Sequence, residues 1–131
     1  MISLVFSIVI IRSNGSIEQT NFTVGDSYLL LSDTVGGMIE CVHIGLGIDM
    51  WVNEEGKINS LPQNVLGTAL WVDSWAETDF VAGDCVVTGG TDVEGYTLGL
   101  SDSKVEELLG WTHGALVSFV GGQVFFETVE V

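Results

Sequence analysis

The sequence predicts a single α+β domain, a mostly antiparallel sheet of hairpins with two or three short helices. Three observations carry this reading. Runs rich in β-branched residues come in close pairs joined by glycine-containing turns. Other short segments place apolar residues three and four apart, the spacing of a helix with one buried face. The chain has 131 residues, 47% of them hydrophobic, which suits one core of ordinary domain size.

The elements follow in order. Phe6 to Arg12 and Ile17 to Thr23 form a strand pair around Ser13-Asn14-Gly15-Ser16, because Asn-Gly accepts the positive φ angles of a tight turn. Asp26 or Ser27 caps a short helix running through Leu31 to about Thr34, and Gly36-Gly37 stops it. Met38 to Ile44 is a strand. Ile48 to Asn53 is another, with Ile48, Met50 and Val52 on one face and Asp49, Trp51 and Asn53 on the other. Asn53-Glu54-Glu55-Gly56 reads as a hairpin turn, with Lys57-Ile58 starting the return and Leu61-Pro62 breaking it. Asn64 to Val72 is helical, since Leu66, Ala69 and Leu70 share a face. Ala76 to Phe80 is loop-like, Asp84 to Thr88 is a core strand, and Gly89 to Gly99 is a glycine-rich acidic loop. Ser101 caps a helix, with Leu100 and Val105 stapled across the cap. Val105, Leu108 and Leu109 form its buried stripe and Gly110 ends it. Ala115 to Val120, Gly121-Gly122 and Gln123 to Val131 make a final hairpin. Residues 1–112 form the core on this reading, and 113–131 a C-terminal hairpin extension of the same domain.

Charge narrows the function. Eighteen Asp and Glu face three basic residues, Arg12, Lys57 and Lys104, giving a net charge of −15. Direct binding to nucleic acid or to an anionic membrane needs cationic side chains, so both are excluded as partners. A basic protein surface, a cation, or simple solubilisation remain. Ile2 to Ile11 is too short for a membrane-spanning helix, and Arg12 follows the apolar run where a signal peptide would have its basic residue first. Cys41 and Cys85 make no disulfide framework. The expected location is a host cytoplasm, with reduced thiols.

Several stretches together resemble a known family. They are Val35-Gly36-Gly37-Met38-Ile39-Glu40, Met50-Trp51-Val52-Asn53-Glu54-Glu55-Gly56-Lys57, Leu61-Pro62-Gln63-Asn64 with Thr68-Ala69-Leu70, and Gly83-Asp84-Cys85-Val86-Val87 with Gly89. Their order and spacing resemble the family called domain of unknown function 3846, from about Ile8 to Leu109. The resemblance implies a bacteriophage or mobile-element setting, often beside anti-restriction genes, and carries over no catalytic residue.

Candidate chemistry is sparse. Gly25-Asp26-Ser27-Tyr28-Leu29 looks like the nucleophile block of some esterases, but Gly110 stands where their aspartate would precede His113. A helix cap explains the same residues more simply. Cys41 and His43 point to one face of a strand, and with Cys85 offer three soft ligands. No paired ligand spacing supports a metal there, so none is expected. Asp92 with Glu94, and Asp73 with Glu77 and Asp79, lack the alternation of a calcium loop. Glu54 and Glu55 lie in a tight turn, which favours exposure over catalytic burial. Trp71 and Trp75 share a helix face if the helix extends that far, while Trp51 is a candidate for exposure; core packing is the default for all four tryptophans, Trp111 included.

The expectation is therefore a non-enzymatic, cofactor-free accessory protein that binds a host protein, in host takeover or anti-defence. The partner surface is assigned to Trp51, Glu54, Glu55, Asp92 and Glu94. Nucleic-acid mimicry is one form of this: fifteen charges match roughly 25 Å of duplex, within a globule about 36 Å across, provided most carboxylates share one face. The alternative is a small-molecule or nucleotide-binding module, in which backbone amides and Arg12, Lys57 or Lys104 would hold an anionic ligand; a deep pocket containing two of the three would favour it. An exposed final strand would also allow a homo-oligomer.

Overall fold

A computed structural model describes residues 5–23, 25–45, 47–75, 80–120 and 123–128. The chain is an α+β domain. Its elements are β1 (Val5–Ile11), β2 (Ile17–Thr23), α1 (Ser27–Val35), β3 (Ile39–Gly45), β4 (Ile48–Asn53), β5 (Gln63–Asn64), α2 (Val65–Trp75), β6 (Val81–Ala82), β7 (Cys85–Gly89), α3 (Asp102–Gly114), β8 (Ala115–Val120) and β9 (Gln123–Thr128). β1, β2, β3, β4 and β7 form one five-stranded sheet in the order β2-β1-β7-β4-β3. Every pairing in it is antiparallel. The first hairpin forms as expected, with Val5 opposite Thr23 and Ile11 opposite Ile17.

Helices cover the sheet on both faces, so the two-residue alternation of each strand feeds two cores. Ile8, Ile10 and Val86 turn toward α1 and meet Leu31 and Phe22. Val9, Ile11, Met50, Val52, Cys85 and Val87 turn the other way, against Leu70, Leu100, Val105 and Leu108 of α2, α3 and the segment before α3. Packing on both sides explains the unbroken apolar stretches Ile8 to Ile11 in β1 and Cys85 to Val87 in β7.

The local signals act largely as their chemistry requires. Gly36 takes the left-handed conformation at the end of α1, with φ of 80°. Ser101 Oγ accepts from the Lys104 amide at 3.2 Å, and Leu100 and Val105 lie in the same core cluster, which completes the cap and staple.

Four expectations need correcting. Asp26 occupies the cap position of α1, but its side chain makes no cap hydrogen bond. Glu54 to Ser60 do not form a hairpin: the Asn59 amide donates to the Glu55 carbonyl and Leu61 to Gly56, so the chain coils through helix-like turns. It then returns as β5, which pairs with β6 instead of β4. Gly110 does not stop α3, which continues to Gly114; a Cβ at Gly110 would meet open space, so no packing demands a break there. Trp51 is half-buried against the α1-side core, because α1 covers the face that alternation alone leaves open. Residues 76–79 of the expected Ala76–Phe80 loop, and the Gly121-Gly122 turn, lie outside the described residues. β8 and β9 pair with each other as expected.

Candidate functional site

A groove of about 300 Å³ opens at the end of the sheet where β4 leaves and β3 enters. Alternation along β3 and β4 places Glu40, Val42 and Val52 on its wall. The coil after β4 adds Glu54, Lys57 and Ile58; α2 adds Trp71, and Phe80, Val81 and Ala82 complete the floor. Lys57 Nζ stands 4.9 Å from the centroid of the Phe80 ring, a cation–π distance. Ile58 is 83% exposed and Met38, whose carbonyl accepts from the Glu54 amide at 2.8 Å, is 63% exposed. Apolar surface and carboxylates thus meet at one rim.

Two buried asparagines hold this end in shape. Asn53 Nδ2 donates to the Val35 carbonyl at 3.0 Å, and its Oδ1 accepts from the Glu55 amide at 2.8 Å, which fixes the exit from β4. Asn64 Nδ2 donates to the carbonyls of Ile11 at 2.8 Å and Gly83 at 3.0 Å, and its Oδ1 accepts from the Gly67 amide at 2.9 Å. Thr68 Oγ1 donates to the Asn64 carbonyl at 2.7 Å and accepts from the Val81 amide at 2.9 Å, tying the groove floor to α2. A Cβ on Gly67 would come within 2.9 Å of Cys85 Sγ, so α2 can pack this closely only with glycine there. The Asn53 and Leu61-Pro62-Gln63-Asn64 stretches that carried the family resemblance are therefore structural cross-links. Sequence reasoning missed Trp71, Phe80 and Glu40 as groove residues, because they converge only through tertiary packing.

The five residues assigned to the partner surface do not meet. Glu54 and Glu55 are exposed at the groove end. Asp92 and Glu94 are exposed in the loop after β7, which leaves the sheet beside Ile48 at the opposite end of β4. Six strand residues, roughly 20 Å, separate the two ends. Trp51 lies between them, and its Nε1 donates to Thr88 Oγ1 at 2.9 Å.

The basic groups are dispersed as well. Arg12 bridges Glu18 at 2.6 Å and Asp84 at 3.0 Å, and Lys104 pairs with Glu107 at 3.0 Å, leaving Lys57 alone of the three in the groove. Exposed carboxylates are distributed around the domain, with Asp33 on α1 and Glu106 and Glu107 on α3 at the opposite face.

Cys85 cannot join Cys41 and His43. It faces the α2–α3 core, where burial and then the charge of Asp84 push its thiol up to about 12. Cys41 and His43 do share a face, and Asp49 joins them there. Of the Asp73, Glu77 and Asp79 group, Glu77 and Asp79 lie outside the described residues, as does the Asp73 side chain; the side chain of His113 also lies outside them. Among the described residues, no helix is long and apolar enough to cross a membrane.

No curated protein and no solved structure matches this chain. A match to the family described as Domain of unknown function (DUF3846) covers residues 6–113, from β1 through nearly all of α3. Nearly all of the sheet and of its three helices, and the whole asparagine-braced groove, fall within that span, and the chain belongs to the DUF3846 family.

Proposed function

We propose that this protein acts by binding, and that its groove end docks a host protein presenting a basic and apolar segment, in a phage or mobile-element setting. The observation that carries this reading is the rim itself. Exposed Ile58 and Met38 adjoin Glu54, over a concave floor containing Trp71 and Phe80. Apolar side chains supply contact area, while Glu40, Glu54 and Glu55 favour a cationic partner and oppose an acidic one. Duplex mimicry is a poorer form of this idea, because the exposed carboxylates occupy both faces and both ends of the sheet. A nucleotide is likewise disfavoured: one lysine among two carboxylates does not hold a polyphosphate.

The test is a tagged pull-down from bacterial host lysate at low and moderate salt, with Ile58→Asp in parallel. The expected result is one protein enriched near equal stoichiometry, weakened by salt and lost with Ile58→Asp. Enrichment that Ile58→Asp leaves intact would overturn the groove as the docking site.

A further inference from the structure

On the opposite side of β3 and β4 from the groove lies a second cluster. Cys41 and His43 are two residues apart on β3 and so point the same way. The register sets Asp49 of β4 directly opposite His43, and Trp51 opposite Cys41. Cys41 Sγ, a His43 ring nitrogen and an Asp49 carboxylate oxygen all lie within 4.8 Å of one another, and His43 Nδ1 is 2.6 Å from Asp49 Oδ1. Asp49 is only 4% exposed, although it carries a carboxylate. Its partners are the His43 ring and the Cys41 thiol, which also hydrogen-bonds to it. A buried carboxylate is costly unless a cation or several hydrogen bonds compensate it.

We propose that Cys41, His43 and Asp49 form a binding site for a divalent transition-metal ion of the zinc class. The donor set decides the class. Thiolate sulfur and imidazole nitrogen favour zinc, cobalt or nickel over magnesium and calcium, which take oxygen ligands. Three protein ligands leave one tetrahedral position for water or an incoming group. Access is from the edge of the sheet: β3 is its outermost strand and the His43 side chain is 76% exposed. On binding, the Cys41 thiol releases its proton to solvent, the imidazole binds as the neutral ring, and the ion takes the place of the hydrogen bond between His43 and Asp49. The three donors then draw in to about 2.0–2.3 Å from the ion, a shift that side-chain rotation on neighbouring strands can supply.

Cobalt(II) titration of the reduced full-length chain tests this, with cobalt as a coloured substitute for zinc. The expected result is one equivalent bound, with the visible bands of a tetrahedral ion and a near-ultraviolet thiolate-to-cobalt charge-transfer band. Zinc should erase both, and excess magnesium neither. Cys41→Ser should remove the charge-transfer band. His43→Gln, which keeps a polar group beside Asp49 at a largely exposed position, should weaken binding by at least about tenfold. Absence of the charge-transfer band, its survival in Cys41→Ser, or displacement of cobalt by magnesium would each overturn the site and leave only diffuse attraction to an acidic surface.

Discussion

The two ends of β4 carry similar residues in different settings. At one end Glu54 and Glu55 stand beside exposed Ile58, above a groove lined from α2, β6 and β3. At the other end, the loop after β7 exposes Asp92, Val93, Glu94 and Tyr96. There Asp92 turns its carboxylate on its own loop, accepting from the amides of Glu94 and Tyr96 at 2.9 Å each. Backbone bonds from Asp92 to Tyr96 and from Gly95 to Asp92 tighten the same turn. One end thus offers a shaped surface, and the other a loop closed on itself. Acidity and exposed apolar side chains do not separate them; concavity and the fate of the carboxylates do.

The strongest way to break this comparison is to remove what braces the groove. Asn64→Ala deletes the three buried hydrogen bonds to Ile11, Gly83 and Gly67, together with a longer contact to Cys85 Sγ at 3.7 Å. At about 1 kcal/mol each, the expected loss is about 3 kcal/mol. Urea unfolding would measure it, and a loss below about 1 kcal/mol would mean that water replaces the asparagine.

A smaller effect comes from pH, through Cys85 beneath the same floor. Its thiol ordinarily ionises near 9.0, and burial raises this to about 12 in the fold. The unfolded chain therefore loses that proton first as pH rises. The stabilisation is fully present below pH 9 and declines between 9 and 12, by about 1.4 kcal/mol per pH unit at most. Unfolding at pH 8 and pH 10 should show a shallower decline in Cys85→Ala than in the parent chain. Equal slopes would place the alkaline sensitivity elsewhere.

The smallest effect belongs to the opposite end. Asp92→Ala removes two exposed hydrogen bonds and should lower stability by only about 0.5 kcal/mol, leaving the groove and its binding untouched. A change in partner capture with this variant would move the docking surface to the loop.

What was legible in the sequence, and what was not, follows from the range of each signal. The Asn14-Gly15 hairpin, the Gly36 stop, the Ser101 cap and the alternation of β4 depend on neighbours within a few residues, and each appears in the fold. The coil from Glu54 to Ser60 was misread because a turn sequence does not show which strand the returning chain will meet. The burial of Trp51 stays open in the sequence because alternation separates two faces without saying that both are covered. Cys41 and His43 could be placed on one face, but Asp49 could join them only once the register of β3 against β4 was known. Lys57, Trp71 and Phe80 converge from three segments, and no local pattern announces that.

The most direct measurement compares matched charge reversals at the two ends of β4, Glu54→Lys and Glu94→Lys, in affinity for the captured host protein at moderate salt. The account predicts that Glu54→Lys weakens binding by about tenfold or more, while Glu94→Lys changes it by less than about twofold. Equal effects, or a larger effect from Glu94→Lys, would contradict the assignment of the groove end as the working surface.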